Sequence, residues 1–261
     1  MTETRTVGTA PGDYDAMHHA AQKSPLLHQL WARAMGDEYP PGVEPTSSCS
    51  WWLLGHAVSA LRLRPGARLV DLGCGRGGPG LWLARALSVR LTGIDFSAAA
   101  VEIAARRAGD YVAPGRAEFR QGSFERTGLP DRYADGLLSV DALPFSPDRQ
   151  AALREAARIL APGGRFVLTA REQPADADSW PTMATAAGFD VEQILDNTEH
   201  DGFWRRLFAS FPGNAAALRA ELGERAGDNL MLEAEISLAK GFPTRPAQLL
   251  VLRRRDTDPG A

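Results

Sequence analysis

The chain has 261 residues, of which 44% are hydrophobic, with a formal charge of −3 and two cysteines. That length suits one large α/β domain or a domain with a cap, and the negative charge argues against nucleic acid as a partner. Cys49 and Cys74 make no disulfide framework, and no apolar run is long enough to span a membrane, so a reducing cytoplasmic setting is expected.

Residues 1–12 are polar, contain Gly and Pro and lack periodicity, and are expected to form a disordered tail. From Asp13 to Met35 the apolar spacing allows helices, broken near Pro25. Tyr39 to Pro45 is rich in proline and reads as a loop. Ser47 to Ser50 offer caps for a helix from Trp51 to Leu61, closed by Pro65-Gly66. Residues 13–66 therefore read as a helical N-terminal section forming part of a lid.

A regular alternation follows over residues 67–198. Strands are expected at Arg68–Leu72, Val89–Ile94, Ala117–Gln121, Gly136–Val140 and Arg165–Thr169. Helices are expected at Leu81–Leu87, at Ala98–Ala108 behind an Ser97 cap, and from Ser146-Pro147 to Leu160, stopped by Pro162-Gly163-Gly164. A helix at Trp180–Ala187 and a strand at Phe189–Leu195 come next. Residues 199–246 carry helical patterns and read as a cap insert, and residues 247–261 as a last strand, Ala247–Leu252, with a tail. The triplet Arg253-Arg254-Arg255 reads as the solvated end of that strand. The alternation gives a Rossmann-like, seven-stranded, mostly parallel α/β sheet with helices on both faces, which binds ligands beyond the carboxyl ends of its strands.

The stretch Leu69-Val-Asp-Leu-Gly-Cys-Gly-Arg-Gly-Gly-Pro-Gly80 runs from a buried strand into a glycine turn and a helix. Gly73, Gly75 and Gly78 satisfy G-x-G-x-x-G, a weak dinucleotide signal by itself. Asp71 ends the strand just before the turn, where a carboxylate would repel a pyrophosphate and suits a ligand with positive charge. Asp95 ends the second strand and can accept two hydrogen bonds from ribose hydroxyls.

Together the motifs resemble the class I S-adenosylmethionine-dependent methyltransferases, in their bacterial small-molecule, natural-product branch. The matching stretches are Val70-Asp-Leu-Gly-Cys-Gly-Arg-Gly77, Gly93-Ile-Asp-Phe-Ser97, Gly122-Ser-Phe124, Ser139-Val-Asp-Ala142 and Leu160-Ala-Pro-Gly-Gly164, in family order. The resemblance implies S-adenosyl-L-methionine as cofactor. It implies that Asp71 and Gly73 hold the methionine end, with Cys74 a packed neighbour, and that Gly75 and Gly77 make room. Asp95 takes the ribose, with Ser97 behind it, and Phe96 borders the adenine. Gly122, Ser123 and Phe124 line the adenine edge, Ser123 standing where many relatives have Asp. Val140 and Asp141 lie beside the methionine portion, although Asp141 can equally cap the next loop.

Some small-molecule relatives carry a His shortly after the position of Asp141, where this chain has Leu143 and Pro144, so a general base is sought elsewhere among His18, His19, His56 and His200, with His19 and His200 preferred as catalytic residues. Tyr39, Trp51, Trp52, Phe203 and Trp204 are candidate lid aromatics for an apolar or aromatic small-molecule acceptor. No His, Cys, Asp and Glu cluster has metal-ligand spacing, and no metal is expected. The leading expectation is methyl transfer to O, N or C of a small acceptor. Its alternatives are a non-methylating cyclisation, elimination or rearrangement in the same pocket, a nicotinamide dehydrogenase, and a regulatory module without turnover. The oligomeric state is left open, a dimer included.

Overall fold

The computed structural model describes residues 11–172, 178–242 and 245–256. The first ten residues of the expected tail lie outside that range, whereas Pro11 and Gly12 open helix α1, Pro11–Gln22. Proline's fixed φ suits a first helical turn, where its missing N–H is no loss. After α1 come α2 (Pro25–Met35) and α3 (Trp51–Leu61), capped by the hydroxyls of Ser24 and Ser50.

The alternating section comprises β1 (Arg68–Leu72), α4 (Gly78–Leu87), β2 (Arg90–Asp95), α5 (Ala98–Arg107), β3 (Ala117–Gln121), β4 (Ala134–Ser139), α6 (Arg149–Ile159), β5 (Leu160–Ala170), α7 (Trp180–Ala186) and β6 (Phe189–Asn197). The insert holds α8 (His200–Ser210), α9 (Ala215–Leu222) and α10 (Glu224–Lys240), and β7 (Ala247–Arg254) closes the chain. Most boundaries shift by a few residues, and three of the shifts have clear local reasons. Helix α4 begins three residues early, at Gly78, because Pro79 needs no N–H acceptor in the first turn. Helix α6 begins after Asp148, whose carboxylate accepts from the Ala151 N–H at 2.8 Å and caps the helix in place of Ser146. Pro162-Gly163-Gly164 forms a register break inside β5 between the pairs Ala134–Leu160 and Gly136–Arg165, with Gly163 at φ +73°.

The seven strands form one sheet in the order β3-β2-β1-β4-β5-β7-β6. The first five run parallel, and β7 is antiparallel to both β5 and β6. The order reverses between β1 and β4, which places the glycine turn after β1 at the switch point where such sheets open a ligand crevice.

Alternation along the strands splits the core in two. Val70, Leu72, Phe166, Leu168, Leu250 and Leu252 face α6 and α7, with Leu153, Ile159 and Trp180. Leu69, Leu138, Val167, Leu249 and Val251 face the other way, onto Leu53, Leu54, Leu81 and Leu83 of α3 and α4. A third cluster lies above the sheet and joins the two ends of the chain. It packs Leu27, Leu30, Trp31 and Met35 of α2 against Phe203, Leu207 and Phe208 of α8. Trp31 meets Trp204 edge-on at 4.9 Å. The Ser24 hydroxyl donates to Glu221 at 2.6 Å, and Arg206 Nε donates to the Ala34 carbonyl at 2.7 Å. Arg253 and Arg255 pair with Asp256 and Asp190 at the strand end. No helix among the described residues is long and apolar enough to cross a membrane.

Candidate functional site

The turn after β1 has almost no room for side chains. Gly73 sits at φ +72°, and a Cβ there would lie 2.3 Å from the Ala142 Cβ. Gly78 opens α4 against the Val43 carbonyl, 2.4 Å from where its Cβ would be. The main chain is therefore bare on this side, and a ligand can approach it closely.

Two acids flank the turn. Asp95 is buried, and one of its oxygens accepts from the Gly75 N–H at 2.8 Å while the other accepts from the Ser97 N–H at 2.9 Å. Each oxygen keeps a further lone pair. Burial raises its pKa, against the pull of those N–H groups. Asp71 is 2% exposed, and its Oδ2 has no well-formed hydrogen bond among the described residues, the Gly80 N–H of α4 pulling on the carboxylate. Burial, with the Asp95 charge adding to it, raises the Asp71 pKa to about 7. Arg76, from the same turn, is 4% exposed and sits among Glu44, Arg107 and Tyr39. It donates a long bond, 3.4 Å, to the Glu44 carbonyl, and its Nε has no partner. Burial and the neighbouring Arg107 lower its pKa to about 10.

These groups border one cavity of about 1540 Å³, which runs from the strand tips up to the insert helices. On α8, His200, Trp204 and Phe208 recur every four residues and line its upper wall. The Trp204 Nε1–H donates to His200 Nε2 at 3.2 Å. Nδ1 lies 2.8 Å from Asp201, which is itself ion-paired with Arg171, and 3.0 Å from Arg171 Nη2.

The stretch from β1 through β5 has known counterparts. Residues 70–168 match the family described as a methyltransferase domain. This segment is thus similar to a methyltransferase domain. A 27-O-demethylrifamycin SV methyltransferase of Amycolatopsis mediterranei is 35% identical over 144 residues, 55% of this chain and 53% of that protein. The chain thus spans about half the length of that relative. Among solved structures, the [4+2]-cyclase SpnF superposes with a TM-score of 0.66 at 23% identity, covering 92% of this chain and 97% of that one. The phosphoethanolamine N-methyltransferase 2 of Haemonchus contortus, solved in complex with S-adenosyl-L-methionine, does so at 0.66 and 15% identity, covering 88% and 57%. At such identities the superpositions show the shared fold.

Most of the residues singled out from the sequence come together on this cavity. Asp71, Gly73, Cys74, Gly75, Asp95 and Phe96 line its floor. Gly122, Ser123, Phe124, Val140 and Asp141 line the side formed by β3 and β4. Gly77 does not; it packs inward against Ala104, Leu81 and Phe119 as the start of α4. Ser97 does not either. Its hydroxyl accepts from the Ala100 N–H at 3.0 Å, capping α5, and donates to Asp15 at 2.5 Å. Cys74 is buried, and burial pushes its thiol well above the usual range, as befits a packed residue.

Asp141 borders the cavity, yet its carboxylate is occupied by the chain itself. It accepts from the Ser48 N–H at 2.5 Å, the Ser48 hydroxyl at 2.8 Å and the Thr169 hydroxyl at 2.9 Å. It ties the segment before α3 to the tips of β4 and β5.

The histidines sort differently from expectation. His200 lines the cavity, whereas His19 is exposed and lies away from it. Its neighbour His18 is buried and faces the glycine turn, 3.8 Å from the position of a Gly75 Cβ. Burial, reinforced by Arg76, lowers the His18 pKa to about 4, so it is a neutral imidazole at neutral pH. Of the expected lid aromatics only Trp204 reaches the cavity. Trp51 stacks edge-on with Trp82, Trp52 packs on His56, Phe203 is core, and Tyr39 packs at the edge of the lid cluster. Phe145, Phe208 and Phe242, which sequence reasoning passed over, line it instead. The α8 stripe was visible as a four-residue spacing; Arg76 and Glu233 had no such signal.

Proposed function

We propose that the protein transfers the methyl group of S-adenosyl-L-methionine to a hydroxyl oxygen of a small organic acceptor, in the cytoplasm and in secondary metabolism. The observation that carries this reading is the pair of orphaned charged atoms at the turn. Asp71 Oδ2 and Arg76 Nε are buried without partners on the border of one cavity. A carboxylate oxygen and a guanidinium nitrogen left without partners there suit a zwitterionic amino-acid end, its ammonium to Asp71 and its carboxylate to Arg76. Asp95 retains lone pairs for ribose hydroxyls, and Phe96 and Phe124 offer apolar surface to a base. The residues present therefore fit the cofactor, and a pyrophosphate would set negative charge against two acids.

When bound, the sulfonium supplies an already activated methyl group. The chain's part is to hold the acceptor in line, exclude water and remove a proton. His200 is placed for the last task. Its Nε2 accepts from the Trp204 N–H in the ligand-free chain, so the acceptor hydroxyl takes Trp204's place to hand over its proton, and Asp201, held by Arg171, stabilises the imidazolium that then forms. Positioning in a closed site of this kind supplies about 7–11 kcal/mol of barrier lowering.

The fold shared with a [4+2]-cyclase supports a second reading, a non-methylating reaction in the same cavity. Release of S-adenosylhomocysteine with acceptor present separates the two. The cofactor assignment is tested by titrating S-adenosylhomocysteine and methylthioadenosine, which lacks the amino-acid end. Arg76→Gln is expected to weaken the first about tenfold or more and leave the second unchanged. Equal loss for both ligands would contradict the assignment.

A further inference from the structure

Helix α10, packed beside α8 in the lid, carries one feature that methyl transfer does not use. Along α10, Arg225, Ala226, Asn229, Leu230 and Glu233 line the cavity, with Arg225, Asn229 and Glu233 successively four apart and Glu233 at the far end of that stripe from Arg225. Glu233 makes no hydrogen bond or ion pair with any described residue. The other acids of this region are matched. Asp201 is paired with Arg171, and Glu224 lies 3.8 Å from Arg219. Burial alone raises the Glu233 pKa above its ordinary 4.5, with no neighbouring charge contributing.

Its surroundings are apolar. Leu230, Trp204, Phe208 and Phe242 line the same part of the cavity, and Ala234, the next residue along α10, is core. A carboxyl placed among such groups without a partner costs stability in the free protein. A ligand that brings a cation recovers that cost, and the faces of Trp204 and Phe208 add to the attraction. A neutral hydroxyl recovers less, and an anion is repelled.

Resting on the methyltransferase reading, we infer that the acceptor is an apolar molecule carrying a protonated amine, which the lid binds through Glu233 and the aromatic wall. The amine is then the handle that orients the molecule, and its body fills the space between α8 and the strand tips, with His200 beside the nucleophile. This assigns the substrate class: amphiphilic bases, as distinct from neutral or acidic compounds of the same size.

The test uses the whole chain saturated with S-adenosylhomocysteine and a matched pair of probes, tryptamine and tryptophol, which differ in ammonium against hydroxyl. Calorimetric titration is expected to show tryptamine binding about tenfold or more tightly than tryptophol. Glu233→Gln should abolish that preference, leaving tryptophol and S-adenosylhomocysteine binding as they were. Equal binding of the probes, binding of neither, a preference for tryptophol, or a preference that survives Glu233→Gln would overturn the inference. Failure of S-adenosylhomocysteine to bind the unmodified protein would instead sink the methyltransferase reading on which it rests.

Discussion

At the scale of single residues, the site is a set of buried ionisable groups whose protonation is set by desolvation, and two of them oppose each other. The Asp71 carboxyl, raised from 3.8 to about 7, holds a proton in the folded protein across a range where the unfolded chain has lost it. Its contribution to stability is present at low pH and is lost as pH rises through about 7. His18, lowered from 6.5 to about 4, does the reverse: its contribution is present above 6.5 and is lost as pH falls towards 4. Between about pH 4 and 6.5 the two slopes oppose and largely cancel in the ligand-free protein. Asp71→Asn removes one of them. Urea unfolding midpoints of that variant should then rise clearly from pH 4.5 to 6.5, more steeply than those of the unmodified protein; parallel profiles would show that Asp71 is not the buried acid described. His200 is a second residue-level case. Replacing it with Asn should lower the turnover rate by about 10²–10⁴-fold while S-adenosylhomocysteine affinity stays unchanged, measured as release of that product with acceptor present. A matched loss of affinity would place His200 in binding rather than proton transfer.

At the scale of elements, the cavity exists because distant segments are bolted over the sheet tips. Asp141 is the bolt for the stretch before α3. It sits at φ +49°, a left-handed conformation that Asp tolerates better than most residues, and it gathers three donors from Ser48 and Thr169. Asp141→Ala should destabilise the fold by about 2–3 kcal/mol in urea titrations, since hydrogen bonds to a charged group are lost and the Ser48 N–H is stranded. A change near zero would mean the segment is held by packing alone. The same scale explains what the sequence disclosed. The β1 turn, the acids ending β1 and β2 and the Ser97 cap are local: a strand, its exit and the next helix lie within a dozen residues, and residue type dictates the backbone. Packing across 170 residues is not local, so the partnership of Leu30 and Trp31 with Phe203 and Leu207 left no readable mark. Helix phase was the other gap. His18 and His19 are adjacent and about 100° apart around α1, and only docking onto the glycine turn decides which one turns inward. Trp51 and Trp52 failed to reach the cavity for the same reason, their helix facing α4 and the sheet.

At the scale of the whole molecule, one side of the cavity is sheet tip and the other is lid. The floor, from Asp71 to Asp95, belongs to the segment shared with the methyltransferase-domain family, residues 70–168. Much of the upper wall, from His200 to Phe242, lies beyond that segment. The motifs lie in the floor and not in the lid, which is why motif order bears on the cofactor and not on the acceptor. The account as a whole stands on the floor holding a positively charged nucleoside and not a dinucleotide diphosphate. The most direct measurement is calorimetric titration of the intact protein with S-adenosyl-L-methionine and, separately, with NAD. The account predicts saturable binding of S-adenosyl-L-methionine at one site per chain and no heat from NAD; saturation by NAD, or silence with S-adenosyl-L-methionine, would contradict it.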